Sequence, residues 1–121
     1  MSWYIKALAP PIAAIVKDPR YSGVKIGNQY LEPGKYQVTK GSTILVQATV
    51  KNAGESEGTL WVAIIDTLSG RVLASKVSRV SPGDYFSIPV TPITVDSDMN
   101  IVIQAGVGNV IGENKTDEYG C

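Results

Sequence analysis

The 121-residue chain contains no histidine and one cysteine, Cys121. Without an imidazole, a hydrolase of the serine or cysteine type has no ordinary base to take the nucleophile's proton. A single thiol and no imidazole likewise cannot build a zinc site of the usual kind. No intrachain disulfide can form, so Cys121 is left as a free thiol on a tail or as a cross-link to a second copy. Neither charge is in excess: 11 basic residues balance 11 acidic ones. A protein that holds nucleic acid through phosphates needs a cationic surplus, so direct nucleic-acid contact is not expected. No apolar run approaches the ~20 residues of a transmembrane helix. The first sixteen residues hold one base, Lys6, and Pro10-Pro11 interrupts them. That is unlike an export signal, so synthesis and assembly in the cytoplasm are expected.

What the chain does hold is a series of short apolar runs bounded by Gly, Pro, Asn and Asp. In 43–52, Ile44, Val46, Ala48 and Val50 share one face, and Gln47, Thr49 and Lys51 share the other. This period of two marks a half-buried strand. The run 59–66 is apolar on both faces, which places it centrally in a sheet or under a cover. Further strands are expected at 24–26, 36–39 and 72–77. Another is expected from Phe86 through Ile88 to Val90, at a sheet edge because of Pro89. The last runs lie at 101–107 and within 109–119. Glu32-Pro33-Gly34-Lys35, Leu68-Ser69-Gly70, Ser81-Pro82-Gly83-Asp84 and Gly108-Asn109 read as turns. The sum is an all-β, immunoglobulin-like antiparallel β-sandwich of seven to eight strands, with a jelly roll as the other arrangement. A chain of this length hides about 65% of its unfolded surface and needs no disulfide or metal to fold. The expected division is an extended N-terminal arm over 1–19 and a sandwich over 20–121.

The arm is apolar, and its prolines at 10, 11 and 19 oppose a helix. Trp3, Tyr4, Ile5 and Leu8 are too apolar for a free tail. They either cover the sandwich's own edge or anchor on a neighbouring subunit. Trp61, with Ala63 and Ile65 in phase, reads first as core or inter-sheet packing and second as a subunit contact.

Carboxylate chemistry has weak candidates. Asp96/Asp98, Glu55/Glu57 and Asp117/Glu118 all fall in turns or near the end of the chain, where solvated acids are the ordinary reading. Asp96-Ser97-Asp98-Met99-Asn100 imitates the opening of a calcium loop, but Ile101 and Val107 stand where Gly and Glu are needed. Gly106-Val107-Gly108-Asn109-Val110-Ile111-Gly112 misses the nucleotide-cradle spacing, and no helix follows it. Asn114-Lys115-Thr116 is a glycosylation sequon. No enzyme activity, cofactor or metal is expected.

Thr49-Val50-Lys51-Asn52-Ala53-Gly54, then Ser81-Pro82-Gly83-Asp84, then Asn109 to Thr116 together resemble CARDB-type domains. These are immunoglobulin-like, adhesion-related modules of bacterial and archaeal surface proteins. The resemblance spans about residues 37–119 and rests on turn chemistry. It implies a cell-surface adhesion or carbohydrate-binding module. Such modules repeat within long exported chains, whereas here one copy carries an apolar arm and has Lys115 where an acid is usual. A self-assembling structural protein of a virion (capsid, decoration or tail) fits those departures better. Its partners would be further copies or other coat proteins. On that reading, deleting residues 1–16 leaves a folded monomer that no longer assembles.

Overall fold

The computed structural model describes residues 1–120, and Cys121, read as a free thiol or a cross-link to a second copy, lies outside the described residues. Nine strands form, and no helix occurs among the described residues. They are β1 (Ala13–Ile15), β2 (Gly23–Ile26), β3 (Gln29–Leu31), β4 (Thr43–Asn52), β5 (Gly58–Asp66), β6 (Arg71–Val80), β7 (Tyr85–Thr94), β8 (Ile101–Val107) and β9 (Lys115–Tyr119). All pairings are antiparallel, in two sheets packed face to face. The first sheet centres on β4. One side of β4 carries β7, and the other carries β1 and then β2 in succession, with β3 outside β2. The second sheet runs β6-β5-β8-β9. This is the expected immunoglobulin-like sandwich, with more strands than the sequence indicates.

The core lies between the sheets. Ile44, Val46, Ala48 and Val50 of β4 meet Leu60, Val62 and Ile64 of β5, with Phe86, Ile88, Ile103 and Ala105. The alternation read in 43–52 is the buried-exposed alternation observed. β5 is central, flanked by β6 and β8, which explains its apolar character on both faces.

Three local expectations need correction. Residues 36–39 form no strand and run irregularly along one end of the sandwich. The Tyr36 hydroxyl instead donates to the Glu32 carbonyl at 2.6 Å, closing a local loop around Pro33-Gly34. The hairpin in this region is β2–β3, turned by Gly27-Asn28 with Gly27 at φ 58°, the left-handed geometry such two-residue turns require. Val90 does not continue the inward row of Phe86 and Ile88. Ala48 faces Ile88 and Val46 faces Thr91, so β7 carries one extra residue at Pro89-Val90. The bulge reverses the phase and leaves Val90 exposed. Gly108-Asn109 is not a complete turn but opens the connection from β8 to β9 over residues 108–114.

The segment 1–19 is not uniform. Ala13–Ile15 forms β1, and Ala13 and Ile15 are buried in the core. Removing residues 1–16 would therefore strip core side chains, so a deletion that leaves the body intact has to stop before Ala9.

Candidate interaction surfaces

Residues 9–16 are held by a dense set of bonds. The Ala9 amide donates to Glu55 Oε1 at 3.1 Å, and its carbonyl accepts from the Ser56 hydroxyl at 2.8 Å and from the Glu55 amide at 3.2 Å. Asn52 is fully buried and uses both ends of its amide. Its Oδ1 accepts from Ile12 N and Gly54 N, and its Nδ2 donates to the carbonyls of Ser56 and Val80. Two glycines make room for the proline pair. A Cβ on Gly54 would lie 2.1 Å from the Pro10 carbonyl oxygen, and one on Gly58 would lie 2.3 Å from Pro11 Cγ. The prolines that exclude a helix here also present flat, preset backbone to this cradle.

The other edge of β1 faces β9 of the second sheet. Asp117 Oδ2 accepts from Ile15 N at 2.8 Å, Asp117 Oδ1 accepts from Lys17 Nζ at 2.7 Å, and the Thr116 hydroxyl donates to the Ala13 carbonyl at 2.7 Å. β1 thus joins one sheet by backbone and the other by side chains. Burial pushes the Asp117 carboxyl upward, but hydrogen bonds from Lys17, Ile15 N and Glu118 N outweigh it and hold it below the usual carboxylate range.

Ahead of this clasp the chain is bare. Trp3, Tyr4, Ile5 and Leu8 are 92, 90, 86 and 56% exposed. Among the described residues, this segment's one polar tether is Lys6 Nζ, 3.4 Å from Glu55. The other two residues read as subunit contacts lie elsewhere. Trp61 is fully buried under the 108–114 connection, and its indole N–H donates to the Glu113 carbonyl at 2.7 Å. It has no surface to offer a neighbour, so its first reading, packing, is the correct one. Gly106 permits this cover, since a Cβ there would stand 2.6 Å from the indole nitrogen. Ile65 is half-buried on the outer face of β5, between Val72 and Val102.

At the opposite end of the sandwich the sheets part around a groove of about 1010 Å³. Val24, Ile26, Val38, Ile44, Ile101 and Tyr119 contribute its apolar lining. Glu32, Asp96 and Asp98 supply carboxylates, and Lys35 and Lys40 supply ammonium groups. Burial first, then the negative charges of Glu32 and Asp18, push the Tyr119 hydroxyl above its usual range. The loop 95–100 is pinned from below. Buried Asp66 accepts from Asn100 N at 3.0 Å, Leu68 N at 3.1 Å and the Ser69 hydroxyl at 2.7 Å. The Ser69 bond, working against burial and helped by the backbone amides, lowers the Asp66 pKa.

The remaining acids of the sequence reading have structural partners. Glu55 holds Ala9, Glu57 pairs with Arg79, and Glu118 accepts from Gln104. Among the described residues no three His, Cys, Asp or Glu side chains gather as metal ligands would. Asp96 and Asp98 lie exposed in the loop between β7 and β8. No helix among the described residues is long and apolar enough to cross a membrane.

The outer face of the first sheet has a different character. Arg20, Lys25 and Lys51 sit over the rings of Tyr21, Tyr30 and Tyr85 at 5.7, 5.0 and 5.8 Å from the centroids. The bonded Arg20 side chain holds the Asp18 carboxyl at about 2.

Sequence reasoning missed Asn52, Gly54, Gly58 and Asp117 as the fasteners of β1. Asn52-Ala53-Gly54 was visible only as turn chemistry, and Asp117 only as a terminal acid. No protein-family model matches the chain, and no curated protein matches it significantly.

Proposed function

We propose that the protein is a non-enzymatic structural subunit of a homo-oligomeric assembly, a virion component or a comparable particle, and that residues 1–8 make its subunit contacts. One observation carries this reading: Trp3, Tyr4 and Ile5 stand almost fully exposed, and Leu8 more than half exposed, in the eight residues before a tightly clasped strand. Contiguous exposed apolar surface of this kind marks an interface. Burying these side chains on a neighbour would contribute about 25 cal/mol per Å² of apolar area, before the entropic cost of ordering the arm.

Sedimentation of the full-length chain and of a chain lacking residues 1–8 tests the reading. The full-length chain should form a concentration-dependent larger species, and the shortened one should remain a folded monomer. Identical behaviour of the two sinks it.

A second reading, an adhesion or carbohydrate-binding module of CARDB type at a cell surface, is favoured by the three exposed tyrosines beside cations on the first sheet. Aromatic faces flanked by hydrogen-bond donors suit sugar rings. It predicts polysaccharide binding that Tyr30→Ala and Tyr85→Ala weaken and that removal of residues 1–8 leaves unchanged.

A further inference from the structure

We infer that residues 3–8 of one copy occupy the end groove of a second copy, so that the assembly runs head to tail. This rests on the self-assembly proposed above and adds where the arm docks.

The arm and the groove lie at opposite ends of the body. Residues 9–12 are fastened to the 53–57 loop, past the last residue of β4. The groove opens at the first residues of β4 and β8 and at the loop 95–100. Ile44 stands eight residues before Asn52 in the same strand, about 26 Å at strand rise. Ala9 lies beyond Asn52, which adds to that span. From Ala9 to Trp3 an extended chain reaches about 21 Å. The arm therefore cannot place its aromatic end at Ile44 of its own body, but the same end of a second copy is open to it.

The chemistry of the two surfaces is complementary. An extended segment alternates its side chains, which sets Trp3 and Ile5 on one side and Tyr4, Lys6 and Leu8 on the other. One side suits the lining of Val24, Ile26, Val38 and Ile44. The groove volume is at the upper end of sites that engulf small ligands, roughly 300–1,000 Å³, so it has room for a few large side chains. Lys6 is the one charged side chain in residues 1–16. The groove sets three carboxylates, Glu32, Asp96 and Asp98, against Lys35 and Lys40. A cationic arm therefore meets a net negative mouth. An arm-to-groove contact joins different surfaces on the two copies, so it propagates as a ring or a filament rather than closing as a two-fold dimer.

The test is cross-linking between full-length chains in a Cys121→Ser background. One chain carries Ile5→Cys and the other Val38→Cys. A parallel mixture uses Lys35→Cys, an exposed groove position, in case replacing half-buried Val38 disturbs folding. Oxidation of either mixture should give a mixed disulfide dimer as the main product. Adding Asp96→Lys and Asp98→Lys to the groove chain should lower its yield by tenfold or more. Assembly without a mixed dimer in either mixture overturns arm-in-groove docking while leaving the proposed function standing. Chains that stay monomeric at every concentration overturn both.

Discussion

Residues 1–8 and 9–16 form one largely apolar leading segment, both free of helix, yet the body treats them in opposite ways. From Ala9 on, the backbone is fastened at many points: by Glu55, Ser56 and Asn52 on one side, and by Asp117 and Thr116 on the other. Before Ala9 the tether among the described residues is a single ion pair between exposed groups, a contact worth little in water. The difference does not lie in hydrophobicity, since Trp3 and Ile5 are at least as apolar as Ala13 and Ile15. It lies in what the rest of the chain offers. Gly54 and Gly58 leave space for Pro10 and Pro11, and β4 has a free edge just long enough for three residues. Hydrophobic residues hold a strand only where a partner edge and a fitted cavity exist, and otherwise they stay available to another molecule.

The clasped half should fail most severely at Asn52. Asn52→Leu removes four hydrogen bonds around a buried site and should destabilise the fold by about 3 kcal/mol or more, since each orphaned buried group costs ~1–3 kcal/mol. Thermal or urea unfolding measures it, and a loss under ~1 kcal/mol would mean that water replaces the amide.

Gly54→Ala comes next. Its methyl group meets backbone rather than a movable side-chain tip, and overpacking of this kind costs about 1–3 kcal/mol. Hydrogen exchange should quicken at Ile15 and Ala53 and stay slow in β5. Uniform quickening would contradict a local clasp.

Asp117→Asn should cost about 1–2 kcal/mol, because both carboxylate oxygens accept hydrogen bonds and a neutral amide keeps only one acceptor. It should also flatten the acid limb of stability. The folded carboxyl titrates below its unfolded value of ~3.9, so the unfolded chain binds more protons in that window and stability rises with pH there. The contribution is complete above ~3.9 and disappears as pH falls through the folded pKa. Asp66 and Asp18 act in the same direction, so the variant should lose part of the slope. Unfolding midpoints of both chains from pH 2 to 6 decide it, and equal slopes would remove Asp117 from the account.

The free half should show the smallest effect on stability. Removing residues 1–8 should shift the unfolding free energy by less than about 0.5 kcal/mol, the range of surface changes. A larger loss would mean that the arm lies on its own body in solution.

Much of the sandwich was legible because strand periodicity is local. Ile44, Val46, Ala48 and Val50 announce a face, and 59–66 announces a strand covered on both sides. The misreadings occur where distant residues decide. Tyr36 to Thr39 looks like a strand, but it pairs with no other strand, and the Tyr36 hydroxyl closes a loop onto the Glu32 carbonyl. Val90 keeps the right spacing, but a bulge against β4 reverses its phase. β1 is three residues long and could not be read from its own pattern, because its fasteners lie about forty and a hundred residues away. Of the arm and the groove, the arm was visible as aromatic and aliphatic side chains in a segment too apolar for a free tail. The groove was not, since its lining comes from five separate segments.

Residue order alone settled the β-rich character, the missing imidazole and the lone thiol, and the presence of an apolar leading segment, since each follows from composition and nearest-neighbour spacing. Tertiary structure divided that segment at Ala9, hid Trp61 beneath the 108–114 connection and placed the open groove at the far end from the arm. Those outcomes depend on which edges and cavities remain once the sheets have closed, and they take shape only when residues far apart in sequence meet.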